Sequence, residues 1–290
     1  MNRKDLFLCA LLMLFSVMPL SSQTITVGKS ERLLAANQKG FHPVLNTAGN
    51  LLAFTTENYE GLEVYDFSTR SVLRVSDEAG AGFQPVFSDD GKLFFKNTVF
   101  KSRLKYEGLK SYDFSEKTVK EVLAPQRDLK PVQKSGIAKT TLPSVWSNGQ
   151  NLNITKNGKT EILNPVENAN GYIWASLSPN GQMILFNAVA VGTFVSDLNG
   201  KIIASLGYLN APVWYGNEFV VGMQDKDDGY NITESKVILK NLAGSITKQL
   251  SEPGQIAMFP TASFLARKVA YNTVEGEIYV LELNNNPPAP

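Results

Sequence analysis

The 290-residue chain contains one cysteine, Cys9, and one histidine, His42. Zinc held by several Cys or His ligands is therefore excluded. So is nucleophilic catalysis by a Cys–His pair outside the N-terminal segment. No Gly-x-Ser-x-Gly elbow, dinucleotide fingerprint or phosphate loop is present. Neither charge sign dominates. Lys and Arg total 28 against 27 Asp and Glu, and removing Arg3, Lys4 and Asp5 leaves the signs equal. A nucleic-acid partner needs a basic footprint that this balance does not supply. Long apolar runs are confined to residues 6–20, too few for a transmembrane helix.

That run has the form of a secretory signal. Arg3 and Lys4 precede it, and Pro19, Ser21 and Ser22 close it, which predicts a signal peptide over residues 1–22. Most of the run follows Cys9, so the lipoprotein pattern is not met. The remaining chain has no thiol and no disulfide, and must be stabilised by its core.

Aromatic residues (Phe 16, Tyr 10, Trp 3) and 22 glycines are abundant. This combination favours strands joined by tight turns. Self-similarity is the main organising signal. Gly40-Phe41-His42-Pro43-Val44 leads through Gly49 to Leu51-Leu52-Ala53-Phe54, and Gly82-Phe83-Gln84-Pro85-Val86 leads through Gly91 to Leu93-Phe94-Phe95. Val64-Tyr65-Asp66-Phe67-Ser68 and Ser111-Tyr112-Asp113-Phe114-Ser115 then match. Aligned on the proline position, the copies fall at Pro43, Pro85, Pro131, Ala175, Pro212 and Pro260, spaced 37 to 48 residues apart. Apolar positions alternate, as in Ile278, Val280 and Leu283, so each unit is four short strands rather than a helical pair. The expected fold is all-β: a six-bladed β-propeller over residues 23–284, with a Pro/Asn-rich tail at 285–290. The last unit is short of a strand, and residues 30–36 are expected to supply it, closing the ring. Asn284-Asn285-Asn286 is expected not to continue the sheet.

Ser178-Pro179-Asn180-Gly181 before Ile184 and Phe186, with Ser88-Asp89-Asp90-Gly91, resembles the repeat of TolB-type, WD40-like β-propellers. The resemblance spans residues 30 to 284 and departs from TolB in leaving no room before residue 40 for an N-terminal α/β domain. It implies a six-bladed ring that binds proteins, peptides or glycans at one face.

The residues preceding the repeated proline position are His42, Gln84, Lys130, Trp174, Ala211 and Phe259. Strand alternation gives them one orientation, either lining the mouth of the central channel as a mixed polar and aromatic binding site or simply filling it. Asp225-Lys226-Asp227-Asp228-Gly229-Tyr230-Asn231 resembles a calcium loop with its glycine one position early, and is read as a hairpin tip. Trp214 is read as packing between blades. The basic run from Lys96 to Lys139 is read as a solvated face, with docking of an acidic partner or a glycan as the alternative.

The resulting expectation is an exported, periplasmic or cell-surface binding or scaffolding module for an envelope or extracellular protein, without catalysis, cofactor, metal or nucleic acid. A carbohydrate- or peptide-binding protein using the channel mouth is the alternative. A lyase or hydrolase built on paired carboxylates is the third reading.

Overall fold

The computed structural model describes residues 24–127 and 143–286. The signal segment, Pro131 and Lys130 lie outside them. Strands β1 (Thr24–Val27) and β2 (Glu31–Arg32) precede a series of antiparallel sheets. The first comprises β3 (Phe41–Leu45), β4 (Leu51–Thr55), β5 (Glu60–Asp66) and β6 (Ser71–Ala79). The second comprises β7 (Val86–Phe87), β8 (Lys92–Lys101), β9 (Leu104–Asp113) and β10 (Thr118–Gln126). The third shows β11 (Ser144–Ser147), β12 (Leu152–Lys156) and β13 (Lys159–Ile162).

The fourth runs β14 (Tyr172–Leu177), β15 (Met183–Ala188), β16 (Gly192–Asp197) and β17 (Ile202–Gly207). The fifth runs β18 (Asn210–Tyr215), β19 (Phe219–Asp227), β20 (Ile232–Asn241) and β21 (Thr247–Gln249). The sixth holds β22 (Ala257–Ser263), β23 (Lys268–Thr273) and β24 (Ile278–Asn286), with β1 and β2 paired onto β24. These six sheets are the blades of a β-propeller.

Closure by an N-terminal strand is present, but at a corrected position. The pairing strand is Thr24–Val27, continued by Glu31 and Arg32, rather than residues 30–36. Only Glu31 and Arg32 of that segment join the ladder. Beyond them Leu33 donates its amide to Ile278 O, and Leu34 turns into the core. The asparagine run also continues the sheet, because Thr24, Ile25 and Thr26 pair with Asn286, Asn285 and Asn284.

The repeated residues have local physical roles. At the turns after the third strands, Asp66 Oδ1 accepts from the Ser68 amide and hydroxyl at 2.7 and 2.6 Å. Asp113 does the same with Ser115 at 2.9 and 2.6 Å. Asp197 accepts from the amides of Asn199 and Lys201 at 2.8 and 2.9 Å. Each is a side chain substituting for a backbone turn partner. The hydrogen bonds hold the Asp66 and Asp113 carboxyls below the usual carboxylate range.

The core lies between neighbouring blades. Leu62, Val64, Leu93 and Phe95 join the first to the second, Leu185, Val195, Val220 and Ile238 the fourth to the fifth, and Leu45, Phe54 and Ala270 the sixth to the first. Burying each leucine- or phenylalanine-sized side chain contributes about 1.5–3 kcal/mol. Blades approach so closely that a Cβ on Gly82 would sit 2.0 Å from Thr55 Oγ1. Trp214 packs against the fourth-to-fifth cluster and donates Nε1–H to Ser176 O at 3.4 Å.

The strand order fixes two faces. In blades one, two, four, five and six the first strand starts at what is here termed the entry face. Turns between second and third strands, and links from one blade to the next, share that face.

Candidate functional site

His42, Gln84, Trp174, Ala211 and Phe259 have φ of 50°, 51°, 53°, 43° and 49°. A left-handed φ is uncommon outside glycine and asparagine. Here it recurs at one position of the repeat, beside an irregularity in the pairing of β3, β14, β18 and β22. Such a bulge bends the strand and re-aims the side chain. All five residues lie at the entry face. Their shared conformation is therefore a property of the blade, and their chemistry is what differs.

The fold brings two of them together. The rings of His42 and Phe259 are 4.1 Å apart between centroids. Tyr59, from the turn between β4 and β5, stacks on His42 at 4.5 Å with a 26° interplanar angle. Phe83, from the link between β6 and β7, meets Tyr59 edge-on at 5.2 Å. Lys96 Nζ then sits 5.0 Å from the Phe83 centroid. The result is a row of aromatic rings crossing blades six, one and two, ending in a cation on a ring face. Trp174 enters no aromatic pair among the described residues, and Gln84 is exposed. Tyr59 and Phe83 were not singled out by the sequence as site residues, and Lys96 entered only as the start of the basic run. Phe83 carried a usable signal, since it repeats the position of Phe41 beside the marked residue. Tyr59 carried none, because its turn belongs to one blade only.

His42 is held from below as well. Its amide donates to Asn272 Oδ1 on β23 at 3.0 Å. Burial lowers its pKa from 6.5 to about 4, so the imidazole is neutral at physiological pH. Because the folded pKa lies below the unfolded one, the unfolded chain binds the extra proton first. Stability is then flat above pH 6.5 and declines as pH falls from 6.5 toward 4. Between pH 7 and 5 the expected loss is about 1 kcal/mol, after discounting for the imidazole's partial solvent contact. His42→Phe should abolish that decline in thermal melts. The only histidine is His42, so an unchanged pH slope in the variant would refute the assignment.

Two hairpins rise from the entry face. β8 and β9 pair through to Lys101↔Leu104, and β19 and β20 to Asp227↔Ile232, each overhanging the first strands by roughly 15 Å. The Asp-rich segment is the tip of the second hairpin. Asp227 Oδ1 accepts from the Gly229 amide at 2.9 Å, and Asp228 Oδ1 from the Tyr230 and Asn231 amides at 2.9 and 2.8 Å. Among the described residues no group of three or more His, Cys, Asp or Glu is placed to hold a metal ion.

Exposed large apolar side chains are distributed unevenly. On the entry face lie Phe83, Phe100 and Leu104 of blade two, Val191 and Tyr208 of blade four, Tyr230 of blade five and Val274 of blade six. Phe264 and Leu265 are their counterparts on the opposite face among the described residues, and the remainder lie on β13 or the outermost strands. Tyr230 is 94% and Phe100 66% exposed, both at hairpin tips. Away from this face, a groove of about 380 Å³ runs between the outer strands of blades four and five. Its lysine, Lys240, is already engaged, donating to Leu206 O at 2.6 Å.

Among the described residues no helix is long and apolar enough to cross a membrane. The chain matches no protein-family profile and no curated protein sequence. Its fold is shared with solved structures. A putative TolB from Agrobacterium tumefaciens is 14% identical, with TM-score 0.57, over 92% of this chain and 99% of that one. The Cps50 (Swd1) β-propeller domain of Myceliophteria thermophila is 13% identical, with TM-score 0.56, over 89% and 99%. The tricorn protease is 15% identical, with TM-score 0.53, and this chain spans 27% of its length. At these identities the similarity establishes a β-propeller fold.

Proposed function

We propose that this chain is an exported, TolB-like β-propeller that docks a protein partner without catalysis, in the periplasm or at the cell surface, and that it does so with the entry face. The observation carrying this reading is the distribution of exposed apolar side chains, with Phe100, Leu104 and Tyr230 lifted clear of the ring on two hairpins. Contiguous or presented apolar groups on an otherwise ordinary surface mark interaction sites. Export is read from residues 1–22. Neighbours of the same fold include a chain of a mitotic checkpoint complex, with TM-score 0.56.

The glycan alternative finds less support at the marked residues. A sugar stacks on an open aromatic face, whereas the His42 ring is already stacked on Tyr59 and met at a tilt by Phe259.

Crosslinking capture from the envelope of the native host tests the reading. Phe100→Asp with Tyr230→Asp should reduce recovery of the captured protein at least tenfold, about 1.4 kcal/mol. Leu265→Asp, on the opposite face, should leave recovery unchanged. Equal recovery by both variants would reject the entry face. Loss only with Trp174→Ala or Phe259→Ala would move the site to the channel mouth.

A further inference from the structure

The two raised hairpins stand on blades two and five, three blades apart in a ring of six, and therefore on opposite sides of the central axis. Their tips carry opposite charge. On the blade-two hairpin, Glu107 pairs with Lys105 at 2.8 Å and approaches Lys96 at 3.9 Å, while Lys110 pairs with Glu78 at 2.6 Å. Lys101 and Arg103 are exposed and enter no ion pair among the described residues. On the blade-five hairpin, Lys226 pairs with Glu234 at 2.8 Å. Asp227 and Asp228 are exposed and satisfied only by backbone amides, and Asp225 accepts from Asn210 Nδ2 at 3.0 Å. The chain is thus nearly neutral overall, yet its entry face has a basic pole and an acidic pole, each bearing exposed apolar side chains: Phe100 and Leu104 at one, Tyr230 at the other.

A surface with two opposite poles about a central axis is complementary to itself. A two-fold axis in the plane of the ring, perpendicular to the line joining blades two and five, sets each basic tip against the acidic tip of a second copy. It makes both contacts at once, as an isologous interface requires. We propose that the chain forms a face-to-face, two-fold symmetric dimer, in which Lys101, Arg103, Phe100 and Leu104 of one copy meet Asp227, Asp228 and Tyr230 of the other. This rests on the reading that the entry face is the docking surface. It identifies a second copy as one occupant.

Analytical ultracentrifugation of the purified chain, from low to high micromolar concentration, tests the proposal. A concentration-dependent dimer is expected at low salt. It should weaken at about 0.5 M salt, where screening shortens to a few ångström. Lys101→Glu with Arg103→Glu, and separately Asp227→Lys with Asp228→Lys, should each weaken self-association about tenfold or more. An equimolar mixture of the two variants should recover a heterodimer, because one variant is then acidic at both tips and the other basic at both, so both tip contacts of the mixed pair are complementary while each variant alone repels itself. All four positions are exposed, the Asp227 and Asp228 replacements remove hydrogen bonds only within the hairpin tip, and melting temperature serves as the check on folding. A monomer at every concentration, a dimer indifferent to salt and to both charge reversals, or failure of the mixture to associate would overturn the dimer. None of these outcomes touches the capture experiment, which reads a different protein on the same face.

Discussion

Replacing Ile25 by aspartate is expected to destabilise the fold by about 4 kcal/mol and to lower the melting temperature by roughly 10 °C. Ile25 is 1% exposed, on the strand that completes the sixth blade. Its side chain belongs to a cluster with Tyr215, Val221, Tyr271, Leu281 and Leu283, which joins the fifth blade to the sixth. Its carbonyl accepts from Lys248 on β21. Aspartate there buries a charge among apolar side chains, with the Lys248 ammonium already engaged by the backbone carbonyl, and loosens the strand that covers the edge of β24. Thr26→Asp, one residue on and exposed, should change stability by less than about 0.5 kcal/mol. Equal melting temperatures for the two variants would show that the N-terminal strand contributes nothing to closure.

This strand also shows where the sequence was legible and where it was not. Turn chemistry and strand alternation repeat at fixed offsets, because each blade must solve the same packing problem against its neighbours. Pro43, Pro85, Pro212 and Pro260 therefore announced the ring before any contact was known. The closing strand has no copy to be compared with. Residues 30–36 drew the expectation because they lie directly before the first unit, and they include Leu33 and Leu34. These two leucines instead reach the core from the entry-face side, and Leu34 is buried among Leu45, Phe54 and Ile278. Asn284 to Asn286 have poor strand propensity but are held by ladder partners supplied from residues far away in the chain, and tertiary pairing overrides propensity. The site follows the same logic. Periodicity marked His42 and Phe259, because they occupy a repeated position. It was silent on Tyr59, whose stacking on His42 depends on the conformation of a single turn with φ of 63° and 60° at Asn58 and Tyr59. It was equally silent on the two long hairpins as a pair, since their opposition comes from ring closure and not from any local pattern.

Asn272→Leu should cost about 2–3 kcal/mol, although it exchanges side chains of similar size. Asn272 is fully buried on β23. Its Oδ1 accepts the His42 amide of the next blade at 3.0 Å, and its Nδ2 donates to Thr273 O at 3.0 Å. Leucine leaves Thr273 O with the Gly276 amide as partner at 3.0 Å, but the His42 amide is left inside an irregular turn of strand that has no ladder partner to offer. Asn187 occupies the matching position in blade four and provides the comparison. Its Nδ2 reaches Thr193 Oγ1 at 3.0 Å and Leu209 O at 3.5 Å, but Leu209 O also accepts from Thr193 Oγ1. Asn187→Leu therefore leaves that carbonyl satisfied and should cost about 1 kcal/mol. If chemical denaturation ranks the two variants in the opposite order, the blade-six-to-blade-one bond is not what fixes His42. The aromatic row from Phe259 to Phe83 would then owe its alignment to ring stacking alone.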